Sequence, residues 1–245
     1  IILRAQNQSG TANRGEQAVP VWRICPSYQG AEVFLKKPGL YKNIAVYDFK
    51  SLYPNIMRTF NLSFETCPLD KELSELDVLR IALRKEKGII PEICDLLQNL
   101  RDKYKKMGKK TQEVGVKLLN NSLYGYFGSE SSNLKHVNLA RTITWTARRL
   151  LEILRNKFDC VYGDTDSIFI EVPKDKVFEM ERVINEYLEK EVKSEFNPRN
   201  YTLFLKFEKF FKKLLIISKK KYVGWKVLEK DRELDEIWGK GIELV

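Results

Sequence analysis

Three aspartates carry the strongest chemical signal. Asp48 closes the apolar run NIAVYDF, and Asp164 and Asp166 flank Thr165 in YGDTDS. Residues two apart on a strand project to one face, so a turn that keeps the alternation presents Asp164 and Asp166 together, and a neighbouring strand end brings Asp48 beside them. Carboxylates so placed repel one another unless a cation neutralises them. Oxygen ligands of this kind suit a hard divalent ion, Mg²⁺ first. On spacing alone a plain hairpin is the commoner account of DTD, because Asp favours turns.

Basic, aromatic and lysine-rich sets accompany them. Arg101 and Lys105, and then Lys117 and Asn121, stand four residues apart. In helices each pair shares a face, and an antiparallel helix hairpin can turn both faces into one cleft. Arg there offers a fork and Lys a point charge to a triphosphate; viewed alone, both pairs are equally solvated helix faces. Tyr53 follows Asp48 by five positions and Tyr124 follows Asn121 by three, so either ring can pack on a sugar or base or belong to the core. SKKKYVGW puts Lys219, Lys220 and Lys221 before Tyr222, which suits phosphate-backbone contacts or a lysine-protected strand edge.

The elements needed to position these residues follow from patterning. Residues 1–38 carry Gly and Pro as punctuation and read as loops and short strands. Asn43 to Phe49 reads as a strand, and Pro54 suits the first turn of a following helix. A helix from Asp77 to about Lys87 has Asp77 as its N-cap and Gly88 as its end. Pro91 opens a long helix with an apolar face of Ile93, Leu96, Leu97 and Leu100. After a break at Met107–Gly108, a second helix runs from Thr111 to Tyr124 and completes a hairpin. Further on come a helix over Asn138 to Asn156, a strand–turn–strand over Asp159 to Val172, a helix over Lys174 to Ser194, and strands between Tyr201 and Trp225.

The chain has 245 residues, 43 Lys+Arg against 33 Asp+Glu, a net charge of +10 and 43% hydrophobic residues. That apolar share supports a sizeable core and argues against disorder. No apolar run reaches the roughly 18 residues of a membrane span. The positive charge points to a polyanionic partner, nucleic acid before anionic membrane, with a solvated lysine surface as the plain alternative. Cys25, Cys67, Cys94 and Cys160 form no CxxC pair and read as buried or free thiols. The first Met is Met57, which suggests a piece of a longer protein.

Taken in order, the motifs resemble those of family B DNA polymerases. DFKSLYPNIM is similar to motif A (DFxSLYPSII), KLLNNSLYG to motif B (KxxxNSxYG), and YGDTDS is identical to motif C. KKKY fits the KKxY motif, and YQGA at Tyr28–Ala31 fits YxG(G/A). NLSFET and GIIP resemble archaeal-type members. Departures are Asn55 and Met57 in motif A, and Asn120 where the family usually has a small residue; none removes a charge.

The resemblance implies an α+β fold: a palm with an antiparallel β-sheet backed by helices, plus an inserted two-helix fingers module. Its divisions would be a leading segment over 1–40, palm over 41–76, fingers over 77–123 and palm over 124–245, with exonuclease and thumb domains absent and protein priming disfavoured. It implies two Mg²⁺ ions, with Mn²⁺ as a substitute, held by Asp48 and Asp166 with the Phe49 carbonyl, and Asp164 in support. Ser51 and Leu52 would offer N–H groups to the triphosphate, gripped by Arg101, Lys105 and Lys117. Tyr53 would exclude a 2′-hydroxyl, and Asn121 and Tyr124 would line the base-pair pocket. Tyr28, Gly30, Thr165, Lys219, Lys220, Lys221 and Tyr222 would contact DNA, with Glu208 an accessory acid. Implied partners are primer–template DNA, dNTPs, the remaining polymerase segments and, through missing parts, a sliding clamp, with no membrane. The implied setting is the prokaryotic nucleoid, or the nucleus for a eukaryotic or viral source. The alternatives are a non-catalytic nucleic-acid-binding scaffold and an RNA-synthesising relative.

Overall fold

The structure, a computed structural model, describes residues 28–70, 72–129 and 131–242; Cys25 and most of the leading segment lie outside them. Seven strands form one antiparallel sheet: β1 (Val33–Leu35), β2 (Gly39–Phe49), β3 (Cys160–Asp164), β4 (Ser167–Glu171), β5 (Leu205–Ser218), β6 (Lys221–Glu229) and β7 (Arg232–Lys240), in the order β1-β3-β4-β2-β5-β6-β7. The helices are α1 (Leu52–Phe60), α2 (Glu75–Arg84), α3 (Ile89–Lys106), α4 (Lys110–Gly128), α5 (Val137–Lys157) and α6 (Val177–Phe196). The α+β architecture agrees with the expectation from sequence.

Two cores divide the sheet's faces. On the helix side, Ala45, Tyr47 and Phe49 of β2 pack with Ile56, Met57 and Phe60 of α1, Leu150 and Leu154 of α5, and Ile184 and Leu188 of α6. On the other side lie Val46, Tyr162, Phe169, Phe211, Leu214 and Tyr222. The Tyr222 ring centroid sits 5.6 Å from Tyr162 and 5.5 Å from Phe169. Tyr222 comes from β6, which neighbours neither β3 nor β4 in the sheet, so the sheet must curl over itself. Register shifts along β5, at Phe210/Phe211, Phe211/Lys213 and Ile216/Ser218, supply the bend, since each extra residue kinks and twists its strand. Gly224 permits a close approach of β5 and β6: a Cβ there would lie 2.7 Å from Phe211 Cδ1 and 2.8 Å from the Lys213 carbonyl oxygen.

Several expected boundaries move, each for a local reason. The cap of α2 is Ser74, not Asp77: its Oγ accepts from the Asp77 N–H at 3.2 Å and donates to Asp77 Oδ2 at 2.5 Å. This reciprocal arrangement satisfies a free helix-end donor. Gly88 does not end α2, whose C-cap is Lys85; it is the N-cap of α3. The α3–α4 break falls where expected, with Gly108 at φ 67, but α4 runs to Gly128, past the expected Tyr124. A third strand, β7, follows the expected strand region. Cys67, Cys94 and Cys160 are free and buried, as read from sequence. Among the described residues, no helix is long and apolar enough to cross a membrane.

Candidate functional site

The end of β2 and the start of α1 build one wall of the site. Asp48 lies between Tyr47 and Phe49, both buried on the helix side, so its side chain projects to the opposite face. The chain then turns through Ser51, which takes the left-handed conformation (φ 45, ψ 58) and caps α1 without a side-chain bond. The first intrahelical bond is Asn55 N–H to the Ser51 carbonyl, 3.0 Å, and Pro54 has no N–H. The amides of Leu52 and Tyr53 therefore precede the helix's own ladder and are available to an anion.

The β3–β4 hairpin supplies the second wall. Thr165 sits at its tip with φ 63, and the Phe49 N–H donates to the Asp166 carbonyl at 2.8 Å, tying the tip to the end of β2. Asp48 and Asp166 both line a cleft of about 860 Å³. Burial first, then the Asp166 charge and Glu208, push the Asp48 carboxyl up to about 7, against the opposing pull of Lys50 and Lys117. Asp166 is also raised, by burial and then by Asp164. Two carboxylates thus share a site that resists their negative charge.

The third aspartate is placed differently from the expectation. Asp48 and Asp164 are both register partners of Ser167, on its opposite sides. Two interstrand steps, roughly 9–10 Å, therefore separate their backbones. Asp164 is 8% exposed at the side chain and accepts from Lys240 Nζ at 2.7 Å; it does not line the cleft. Among the described residues no three His, Cys, Asp or Glu side chains form a metal-binding group. The convergence of three carboxylates is corrected to a pair in the cleft and a third held by an ion pair.

The charged part of the lining is mainly basic. Lys50, Arg58, Arg101, Lys105, Lys117, Lys206 and Lys230 surround the cleft against Asp48, Asp102 and Asp166. The helix hairpin does bring Arg101, Lys105, Lys117 and Asn121 together there, although Arg101 Nη2 lies 3.4 Å from Glu113 Oε1. Lys50, Arg58, Lys206 and Lys230 are basic lining residues that the sequence did not single out. Lys206 is the register partner of Asp48, a relation that exists only once β2 and β5 are paired.

The aromatic residues form a chain of contacts. Tyr53 lines the cleft, and its ring centroid is 4.5 Å from that of Tyr124. The Tyr124 hydroxyl lies 3.1 Å from that of Tyr28. Burial raises both Tyr53 and Tyr124, with Arg148 acting in the opposite direction on each. Tyr222 is not in the cleft; its ring is 3% exposed within the second core. Lys219, Lys220 and Lys221 are exposed at the β5–β6 turn, toward the Gly39 end of β2 and away from Asp48. Glu208 does not line the cleft, but its charge raises both Asp48 and Asp166.

Comparison with known proteins agrees with the ordered motifs. The chain is 32% identical over 238 residues to the DNA polymerase alpha catalytic subunit of Arabidopsis thaliana, covering 90% of this chain and 15% of that protein. It is 29% identical over 282 residues to a DNA polymerase of Paramecium bursaria Chlorella virus NY2A, covering 96% and 30%. With DNA polymerase 1 of Aeropyrum pernix it shares 32% identity over 220 residues, covering 80% and 22%. The chain thus spans less than a third of the length of these relatives. The sequence profile of "DNA polymerase family B" matches residues 1–245, and the chain belongs to that family.

Proposed function

We propose that the cleft adds a deoxynucleotide to a primer 3′-hydroxyl opposite a template base. The observation that carries this reading is the pair Asp48 and Asp166 set into a cleft whose charged lining is mainly basic, because a triphosphate needs cations around it and a divalent ion needs carboxylates.

The donor set fits divalent metal. Asp48 and Asp166 are oxygen ligands whose burial and mutual repulsion a cation would relieve, and the Phe49 carbonyl follows directly in the chain. Bound there, Mg²⁺ or Mn²⁺ would ease deprotonation of the primer hydroxyl and offset charge on the triphosphate and departing pyrophosphate. The chain's own residues do the rest. The Ser51 and Leu52 amides and Lys105, Lys117 and Arg101 hold the phosphates, with Lys206 and Lys230 extending that field. Tyr53 lies under the sugar and excludes a 2′-hydroxyl. Asn121 and Tyr124 border the nascent base pair. Asp164 and Glu208 act from outside the cleft, through charge on its carboxylates. Tyr28, Gly30, Thr165 and the Lys219–Lys221 turn meet the duplex; Tyr222 supports that turn from the core.

In this reading residues 41–76 and 124–245 are palm and 77–123 fingers, and the missing length of the relatives supplies the other segments, including any clamp contact. The archaeal-type affinity rests on NLSFET and GIIP. The test is formation of a ternary complex. Binding to a primer–template with a dideoxy terminus should tighten when the next complementary dNTP and Mg²⁺ are both present. A non-catalytic scaffold instead gives salt-sensitive binding that neither addition changes, and that result would overturn the proposal.

A further inference from the structure

The segment Tyr28–Glu32 directly precedes β1 and belongs to no helix or strand. Its position is set by side chains of α5. Arg148 Nη1 donates to the Gly30 carbonyl at 2.7 Å and also to the Gln29 carbonyl. Thr144 Oγ1, one helical turn earlier, lies 3.1 Å from the same Gln29 oxygen. Arg155 Nη1, two turns on, meets Glu32 Oε1 at 3.2 Å, and the Thr165 N–H donates to the Glu32 carbonyl at 3.0 Å. Thr144, Arg148 and Arg155 recur at helical spacing, so one face of α5 holds the whole segment.

What the segment carries makes this holding consequential. Tyr28 stands at its start, and its hydroxyl reaches Tyr124 at 3.1 Å. Tyr124 in turn lies against Tyr53, 4.5 Å between centroids. There is little slack on the far side: a Cβ at Gly128 would fall on the Tyr28 hydroxyl. Arg148 is also close enough for its charge to act on both Tyr53 and Tyr124. Both carbonyls accept from the one Nη1 nitrogen, whose two N–H groups lie in the fixed plane of the guanidinium.

We infer that Arg148 is a positioning residue for sugar selection: by clamping the Gln29 and Gly30 carbonyls to α5, it fixes Tyr28 against Tyr124, and Tyr124 against Tyr53, at the edge of the cleft. Arg148 does not line the cleft and acts through the three tyrosines. Releasing it leaves the cleft's charges intact but lets the tyrosine chain relax, so a 2′-hydroxyl meets a softer wall. The inference rests on the proposed role of Tyr53, and the experiment separates the two.

The experiment measures single-nucleotide insertion by the full-length protein with a matched dNTP and the corresponding rNTP, comparing the ratio of their kcat/KM values. Arg148→Met is expected to lower deoxy-over-ribo selectivity by about tenfold, most of it as faster rNTP insertion. Arg148→Lys should recover part of that loss. The pair Arg148→Met and Tyr28→Phe should be non-additive, because both break the same chain. Thermal melts accompany each variant; if Arg148→Met fails to fold, Arg148→Lys and Tyr28→Phe carry the test alone. If Tyr53→Ala relaxes selectivity while Arg148→Met, Arg148→Lys and Tyr28→Phe leave it unchanged, the clamp is overturned and the Tyr53 role survives. If Tyr53→Ala has no effect, the role of Tyr53 itself is refuted, and the clamp with it.

Discussion

Asp48 gives the account its sharpest consequence, because its carboxyl is held up to about 7 by burial first and by Asp166 and Glu208 after it. In divalent-free buffer the folded protein keeps the Asp48 proton over an interval in which the unfolded chain has already released it. The sign follows from that: this contribution to stability is fully present below the ordinary value of 3.8 and is lost as pH rises through about 7. At about 1.4 kcal/mol for each pH unit, the full interval is worth about 4 kcal/mol, an upper figure because water reaches part of the group. Asp48→Asn keeps the shape and removes the charge. At pH 8 the variant should be the more stable protein by up to about 4 kcal/mol, which for a chain of this size raises Tm by about 10 °C. The advantage should shrink steadily toward pH 4. Mg²⁺ in the millimolar range should raise the Tm of the unaltered protein at pH 8 and act much less on the variant, since only a ligand of the folded state stabilises it. Melts from pH 4 to 8.5, with and without Mg²⁺, decide it. A gain that does not vary with pH, or a variant less stable at pH 8, would refute the reasoning.

Three other perturbations probe the frame around the site. Phe60 is fully buried against Phe196, 5.4 Å between centroids, so Phe60→Ala should cost about 3–5 kcal/mol in denaturant unfolding. Gly224→Ala drives a methyl into Phe211 and the Lys213 carbonyl and should cost about 1–3 kcal/mol by the same measure. Lys240→Met strands Asp164 at 8% exposure without its ion-pair partner and should cost about 3 kcal/mol in denaturant unfolding.

How far the sequence could be read depended on the range of the interactions. Asp48 and the Asp164–Asp166 hairpin were legible because strand alternation and turn chemistry are local. The α3–α4 hairpin was legible for the same reason, its apolar spacing interrupted at Gly108. The Ser74 cap was missed because both Ser74 and Asp77 are good capping residues, and only their reciprocal bond separates them. Strand β7 was missed because RELDEIWGK has no apolar run; it is exposed along much of its length and pairs on one side only, with β6. The placement of Asp164 was beyond reach, since Lys240 is 76 residues away and meets it only through the curl of the sheet. Tyr222 illustrates the same limit: its neighbours in sequence are exposed lysines, while its neighbours in space are Tyr162, Phe169 and Trp238.

The central claim is that Asp48 and Asp166 mark the place where a nucleotide is joined to a primer. Its most direct test is single-turnover primer extension by the full-length protein with Mg²⁺ and one matched dNTP, comparing it with Asp166→Asn. The account predicts that the variant still binds primer–template DNA and loses insertion rate by about 10²–10³-fold or more. An Asp166→Asn variant that extends the primer at the unaltered rate would contradict it.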